Sequence, residues 1–155
     1  MDLHNDSPPA SVALDPAVVA RVRAAFAAQP FMRTVGATLA AVRAGEVEIV
    51  LPNRAELHQH HGFVHAAALT AALDTACGFA AQTLMPPDRE VLSIEFKVNF
   101  MSPAQAPTFR ALGRVKRAGA QIFVVDGELV GVRADGVEKS VAAMLATMIS
   151  VGPRR

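Results

Sequence analysis

The sequence predicts an α+β fold in which an antiparallel β-sheet wraps around one long central α-helix. Its 155 residues suffice for one domain with a substantial core, and 52% of them are hydrophobic against 19% charged. The apolar, Ala-rich stretch 61–81 suits a central helix, and the segments after it alternate as strands do and are separated by short turns. Short turns join antiparallel neighbours, and the apolar face of such a sheet needs a helix to cover it.

The first part of the chain is expected to contain a tail and one helix. Residues 1–14 mix polar residues with prolines and are predicted to form a flexible N-terminal tail, which leaves 15–155 as a single domain. Asp15 followed by Pro16 is typical of a helix start, because an Asp side chain caps the first turn and a proline fits its first position. The helix is expected to end near Pro30.

Six strands are expected in the domain. An alternating pattern between Val35 and Pro52, interrupted at Ala44 and Gly45, indicates a β-hairpin ahead of the central helix. The strands predicted after that helix are 90–101, 108–117, 120–133 and 140–151.

Composition disfavours several classes of protein. The net charge is +1 and there is no basic run, which argues against a nucleic-acid surface. The one cysteine, Cys77, cannot form an intrachain disulfide, and the polar first residues do not resemble a secretory signal. An aspartate at the middle of the apolar stretch would disfavour membrane insertion by roughly 3 kcal/mol. We therefore expect a cytoplasmic protein that does not enter a membrane.

The carboxylate in the central stretch, Asp74, is the first candidate for chemistry. A carboxylate on a helix that is apolar on nearly every face is costly to bury unless it is paired or used. The polar run 58–62 immediately upstream is expected to be a loop that brings polar groups to the helix start. These features predict the active site at this helix. The alternative is a structural Asp74 that bonds a buried backbone group or a neighbouring subunit.

The stretches HGFVHAAALTAALDTACGFAA (61–81) and LSIEFKVNFMSPA (92–104), with the β-rich remainder, resemble the hotdog-fold acyl-CoA thioesterases. The similarity is to the phenylacetate-pathway (PaaI-type) and 4-hydroxybenzoyl-CoA thioesterase branch. That family has an Asn or Gln ahead of a His-Gly-Gly helix start, and an acidic residue after it. Gln59, His65 and Asp74 stand in those positions here, whereas Ala66 and Ala67 replace the glycines.

The resemblance implies a hotdog fold and a role for each matching residue. The backbone N–H of Ala66 would polarise the thioester carbonyl, as an oxyanion donor at a helix start can. Asp74 would be the general base for a water molecule or a direct nucleophile, and the sequence does not choose between them. Gln59 would orient the water or the carboxylate, and Ser93 would help to place the water.

The resemblance also implies the substrate and the assembly. Gly62, Phe63, His65 and Ala67 are expected to contact an acyl-CoA substrate. The phenylalanines suit an aryl or medium-chain acyl group, and basic residues are available for the CoA phosphates. These are Lys97, Arg114, Lys116, Arg117 and Arg133. A homodimer or homotetramer with sites at the dimer interface is expected, with no cofactor.

Other interpretations of the same residues remain. The replacement of both glycines leaves open a non-catalytic hotdog protein that binds acyl-CoA. A hotdog hydratase is disfavoured, because no histidine follows Asp74 on the helix. No metal site is expected, since the histidines at 58, 60, 61 and 65 lack a recognised ligand spacing. Cys77 is expected to be a core residue.

Overall fold

The computed structural model describes residues 14–152. Apart from Leu14, the expected tail 1–14 lies outside the described residues, as does 153–155. The helices are α1 (Pro16–Ala27), α2 (Pro30–Val35) and α3 (Ala66–Gln82), with a 3-10 turn at Ala55–Leu57. The strands are β1 (Thr38–Arg43), β2 (Glu46–Pro52), β3 (Glu90–Phe100), β4 (Thr108–Ala118), β5 (Ile122–Val132) and β6 (Glu138–Val151).

The described strands form one six-stranded antiparallel sheet in the order β1-β2-β4-β5-β6-β3. The predicted α+β architecture is therefore confirmed, and the ends of the four later strands lie within two residues of the predicted ones. The predicted hairpin turn between β1 and β2 is present, with Gly45 at φ 69°. A left-handed conformation of this kind suits glycine, because a Cβ atom would be strained there.

The central helix α3 packs on the inner face of the sheet, where the core lies. Its buried residues run from Ala68 to Gln82, and they meet apolar side chains of β2, β4, β5 and β6. Gly113 on β4 permits this close approach, since a Cβ atom there would lie 2.5 Å from the carbonyl oxygen of Ala76. The first residues of α3 are different: Ala66 and Ala67 are exposed.

Helix α1 begins as predicted, because the Asp15 carboxylate accepts the backbone N–H of Ala17 at 2.8 Å. The Arg21 guanidinium then ties α1 to the end of α3. It donates to the carbonyl oxygens of Gln82 and Pro86, both at 2.8 Å, and of Met85 at 3.1 Å. The last carbonyls of a helix have no partner within the helix, so these contacts stabilise its end.

The short helix α2 was not predicted. It starts with Pro30 at its first position, ends at Gly36 with φ 74°, and buries Met32 and Val35. Six residues are too few for a clear helical periodicity, so Pro30 alone indicated only the end of α1.

Strand β3 lies at the edge of the sheet. It pairs with β6 on one side, and no strand of residues 14–152 pairs with its other side. Its large apolar side chains are unusually exposed. Between 40% and 52% of the surface is accessible for Leu92, Ile94, Phe96 and Phe100. An exposed apolar edge strand is a surface that favours pairing with another chain. None of the described helices is both long enough and apolar enough to cross a membrane.

Candidate active site

Asp74 and Ser93 meet between α3 and β3. The Ser93 hydroxyl donates to Oδ1 of Asp74 at 2.7 Å, and its oxygen lies 3.3 Å from the sulfur of Met148, its cross-strand partner. Asp74 is half-buried, and among residues 14–152 no basic side chain forms an ion pair with it. The carboxylate therefore keeps free acceptor positions for a water molecule or a substrate.

A pocket of about 120 Å³ opens beside this pair. Its lining residues come from the α1–α2 turn, α3 and β3, namely Gln29, Asp74, Thr75, Gly78, Phe79, Val91 and Ser93. A larger cavity of about 450 Å³ lies across β4, β5 and β6, lined among others by Arg114 and Asp126. Those two charges are already paired, with Glu46 and Lys116 respectively. Glu128 of the larger cavity has no ion pair among the described residues, but it is exposed. The smaller pocket is the candidate active site, because its carboxylate is half-buried and accepts a hydrogen bond from Ser93.

The start of α3 presents one free backbone N–H. His65 is the N-cap, and its Nδ1 accepts the N–H of Ala67 at 2.9 Å. The N–H groups of Ala68 and Leu69 bond to the carbonyl oxygen of His65. Within the described chain the N–H of Ala66 has no partner, and the residue is exposed. A free N–H at the positive end of a helix can stabilise a developing oxyanion.

Gln59 lies in the loop that leads to this helix start. Its side-chain oxygen accepts the backbone N–H of His61, and its main chain bonds to Phe63 and Gly62. Gly62 adopts φ 80°, which closes the turn. The structure therefore brings together the predicted residues of the loop and helix start, but the Gln59 side chain bonds within its own loop and not to Asp74.

The predicted residues form two groups in one protomer. Gln59, Gly62, Phe63, His65, Ala66 and Ala67 lie at or before the start of α3, while Asp74 and Ser93 lie further along it. Asp74 follows Ala66 by eight residues. At a rise of 1.5 Å per residue, this separates their backbones by about 12 Å along the axis. The Ala66 N–H and the Asp74 carboxylate are therefore well separated along the helix within one protomer.

The histidines have local partners. His58 Nε2 donates to the side-chain oxygen of Asn53 at 2.6 Å, while the rings of His60 and His61 lie 3.9 Å apart between centroids. In residues 14–152 no group of three or more His, Cys, Asp or Glu side chains is arranged to hold a metal ion.

Cys77 lies in the core, as predicted, one turn after Asp74. Burial, with smaller contributions from the nearby carboxylates of Asp74 and Asp126, raises the pKa of its thiol to about 12. The thiol therefore stays protonated at neutral pH and is a poor nucleophile.

Three of the five basic residues considered for the CoA phosphates are already in ion pairs. Arg114 contacts Glu46 at 2.7 Å, Lys116 contacts Asp126 at 2.7 Å and Arg133 contacts Asp135 at 3.0 Å. The hydrogen bond from Arg114 lowers the pKa of Glu46, with a further contribution from Arg43. Lys97 and Arg117 have no such partner in the part of the chain that the structure describes.

Sequence reasoning missed Gln29, which enters the pocket from the turn between α1 and α2. Its side chain lies next to residues more than forty positions further along the chain. A polar residue before a proline has the composition of an ordinary turn, so no local pattern marks it.

Comparison with known protein structures identifies the fold. The structure is similar to the crystal structure of a thioesterase family protein from Silicibacter pomeroyi, with a TM-score of 0.85 and 38% identity, covering 88% of this chain and 99% of that one. It also resembles the PaaI protein of E. coli from the phenylacetic acid degradation operon. That match has a TM-score of 0.79 and 20% identity, and covers 90% of this chain and 96% of that one. These matches confirm the predicted hotdog fold.

A curated relative from Saccharolobus solfataricus carries the provisional name of esterase SSO2140 and is 30% identical. The aligned region is 54% of this chain and 59% of that protein, so the match spans less than two thirds of the relative's length. Residues 19–147 match the family described as Domain of unknown function (DUF4442). The chain belongs through residues 19–147 to the family DUF4442, and to the hotdog-fold thioesterase family of the Silicibacter pomeroyi protein.

Proposed function

We propose that this protein hydrolyses the thioester bond of an acyl-coenzyme A, with an aryl or medium-chain acyl group, to give the free acid and CoA. The observation that carries the proposal is the hydrogen bond of 2.7 Å from Ser93 to Asp74 at the wall of a pocket. We place the reaction in the cytoplasm, which agrees with a single buried thiol and no possible intrachain disulfide.

In this proposal Asp74 is the general base. Its Oδ1 accepts from Ser93, so Oδ2 is available to accept a proton from a water molecule. The Ser93 oxygen still has lone pairs and can accept the second proton of that water, which orients it. The alternative is direct attack by Asp74 to form an anhydride, which hydroxylamine would trap as a hydroxamate of the acyl group.

The Ala66 N–H is proposed to stabilise the oxyanion that forms when the thioester carbonyl is attacked. Two observations support this. The N–H has no hydrogen-bond acceptor within residues 14–152, and it lies at the start of a 17-residue helix. Gln59 would contribute its side-chain N–H groups after a rotation, or hold the loop in place through its bond to His61. Gly62, Phe63, His65 and Ala67 surround the same helix start and would contact the substrate.

The complete site is proposed to form between two copies of the chain. The separation of about 12 Å between their backbones along α3 supports a site in which the Ala66 N–H and the Asp74 carboxylate come from different protomers. The unpaired edge and exposed apolar side chains of β3, the strand that carries Ser93, support a homodimer built on that strand. Association of two such dimers would give the homotetramer that the resemblance implies.

Replacement of Asp74 by Asn tests the proposal. Free CoA thiol would be measured with acetyl, hexanoyl, lauroyl, phenylacetyl and benzoyl thioesters. We expect turnover by the native protein on at least one of them, and a loss of about 10²- to 10⁴-fold in Asp74→Asn, the usual size of a general-base contribution. Asp126→Asn is the matched control, because Asp126 is paired with Lys116 outside this pocket.

Unchanged unfolding temperatures of both variants would show that the loss is chemical. Full activity of Asp74→Asn would overturn the proposed mechanism. A rise in melting temperature with acyl-CoA but no hydrolysis by the native protein would favour the non-catalytic binding protein instead.

A further inference from the structure

Gln29 carries one of the two polar side-chain groups of the pocket that the proposed mechanism does not use, the other being the hydroxyl of Thr75. The backbone of Gln29 is held at the junction of α1 and α2, where its N–H donates to the carbonyl oxygen of Phe26 at 3.0 Å. Its side chain lines the same pocket as Asp74 and Ser93, and it makes no capping hydrogen bond to α2. Among the described residues this half-buried amide has no hydrogen-bond partner, so it can bond a ligand.

Gly78, Phe79 and Val91 form the apolar part of the pocket wall and leave room for carbon atoms. A Cβ atom at Gly78 would find only Val91 nearby, at 3.9 Å, so this glycine leaves space open that a larger side chain would fill. Phe79 forms a second wall and is held by a tilted contact with Phe26 at 6.3 Å between ring centroids. A pocket that combines apolar walls with a few polar groups is suited to orient a ligand that carries a matching polar atom.

The size of the pocket limits where that polar atom sits. Its volume of about 120 Å³ is somewhat smaller than the roughly 150 Å³ of a cavity that holds one benzene molecule. The part of a ligand that fills this pocket from Asp74 to Gln29 is therefore only a few bonds long. The matching polar atom therefore lies close to the thioester carbonyl, and any longer chain leaves through the open side.

We infer that Gln29 is a specificity-determining residue that hydrogen-bonds a hydroxyl or oxo group near the thioester carbonyl, so that hydroxyacyl or oxoacyl thioesters are preferred. This inference rests on the proposed thioesterase function. A glutamine amide both donates and accepts, so either group can bind. An acyl group without such an atom would leave the amide unpaired as the pocket fills, which weakens its binding.

The test compares 3-hydroxybutyryl-CoA with butyryl-CoA, two substrates that differ by one hydroxyl group. The kcat/KM of each is measured for the native protein, for Gln29→Met and for Gln121→Met, an exposed glutamine outside this pocket. We expect the native protein to prefer the hydroxyacyl thioester. Gln29→Met should lower that ratio by about three- to tenfold, the size of one neutral hydrogen bond, and Gln121→Met should leave it unchanged.

The inference is overturned if the native protein does not prefer the hydroxyacyl thioester, or if Gln29→Met lowers hydrolysis of both thioesters equally. The second result would place Gln29 in the reaction itself or in the fold. Gln29→Asn, which keeps a shorter amide, should retain part of the preference, whereas a purely steric role would make it resemble Gln29→Met.

A binding measurement separates this inference from the proposed function. The dissociation constants of the two thioesters are measured in Asp74→Asn, with and without Gln29→Met. A hydroxyl preference that depends on Gln29, without hydrolysis by the native protein, supports the pocket assignment and contradicts the thioesterase. Hydrolysis by the native protein, with equal affinities for the two thioesters in both variants, supports the thioesterase and contradicts the pocket assignment.

Discussion

Asp74 shows how far single residues can be interpreted from a sequence. A lone carboxylate in an apolar helix indicates a special role from chemistry alone, and the resemblance added Ser93 as a residue that helps to place the attacking water. The structure places these two side chains 2.7 Å apart. Gln29 could not be found in this way, because its place in the pocket depends on how α1 packs against α3 and not on its sequence neighbours.

The buried thiol of Cys77 leads to a residue-scale prediction. With a pKa of about 12, about one molecule in ten thousand carries the thiolate at pH 8, and burial also blocks reagents. We expect almost no labelling of the native protein by iodoacetamide at pH 8, and complete labelling in guanidinium chloride at the same pH. While the fold persists, the slow native rate should rise with pH, because the thiolate fraction rises. Rapid stoichiometric labelling of the native protein would contradict the burial and the raised pKa.

At the scale of elements, the strands were predictable because their apolar residues alternate, and the central helix because its sequence is long, apolar and rich in Ala. The two exceptions have physical causes. Helix α2 is six residues long, too short for a period to appear. Strand β3 contains an irregularity between Ser93 and Glu95, so strict alternation predicts the wrong face for part of the strand. Strict alternation would put Ile94 on the face of Phe96, whereas the irregularity puts Ser93 there instead.

Gly113 gives a prediction about the contact between α3 and the sheet. In Gly113→Ala the new methyl group would lie 2.5 Å from the carbonyl oxygen of Ala76, so the helix must move away from β4. We expect the free energy of unfolding to fall by roughly 1–3 kcal/mol, measured by denaturant titration. Gly152→Ala is the control, since the nearest atom to its methyl group is a side-chain nitrogen of Arg89 at 3.9 Å. Equal stability of the two variants would contradict the proposed packing role.

For the whole molecule, the sequence could predict the parts of the site but not whether one protomer or two supply them. The loop residues and Asp74 are neighbours in sequence, yet helix geometry separates the backbones of Ala66 and Asp74 by about 12 Å along the axis. The exposed apolar residues of β3 indicate how a second copy could close that gap. The assembly was expected from the resemblance, and it stays a prediction.

Mixed dimers test whether the site is shared. Ala66→Pro removes the backbone N–H at the first position of α3, where a proline is tolerated, and His65 already has the extended conformation that a following proline requires, at ψ 136°. We expect Ala66→Pro and Asp74→Asn each to be nearly inactive as pure proteins. After the two are unfolded and refolded together, activity should return, because each mixed dimer contains one site with both native groups.

Ala66→Gly keeps the N–H and serves as the control for Ala66→Pro. Mass spectrometry of differently tagged chains verifies that the dimers in the mixture have exchanged subunits. If they have and the activity does not recover, both groups act within one protomer. Light scattering of the native protein should give at least the mass of a dimer.

The irregularity in β3 also changes how distant relatives should be compared. Ser93 pairs with Met148 and Phe96 pairs with Ala146, two buried residues, so Ser93 and Phe96 share the inner face although they are three positions apart. A regular strand would put residues at that spacing on opposite faces. A relative that lacks one residue between Ser93 and Phe96 would thus still have the acid and an aligned serine. Its serine hydroxyl, however, would point away from the carboxylate. To decide which relatives retain the Asp–Ser pair, insertions and deletions in this part of β3 must therefore be counted. The presence of the serine alone is not a sufficient criterion.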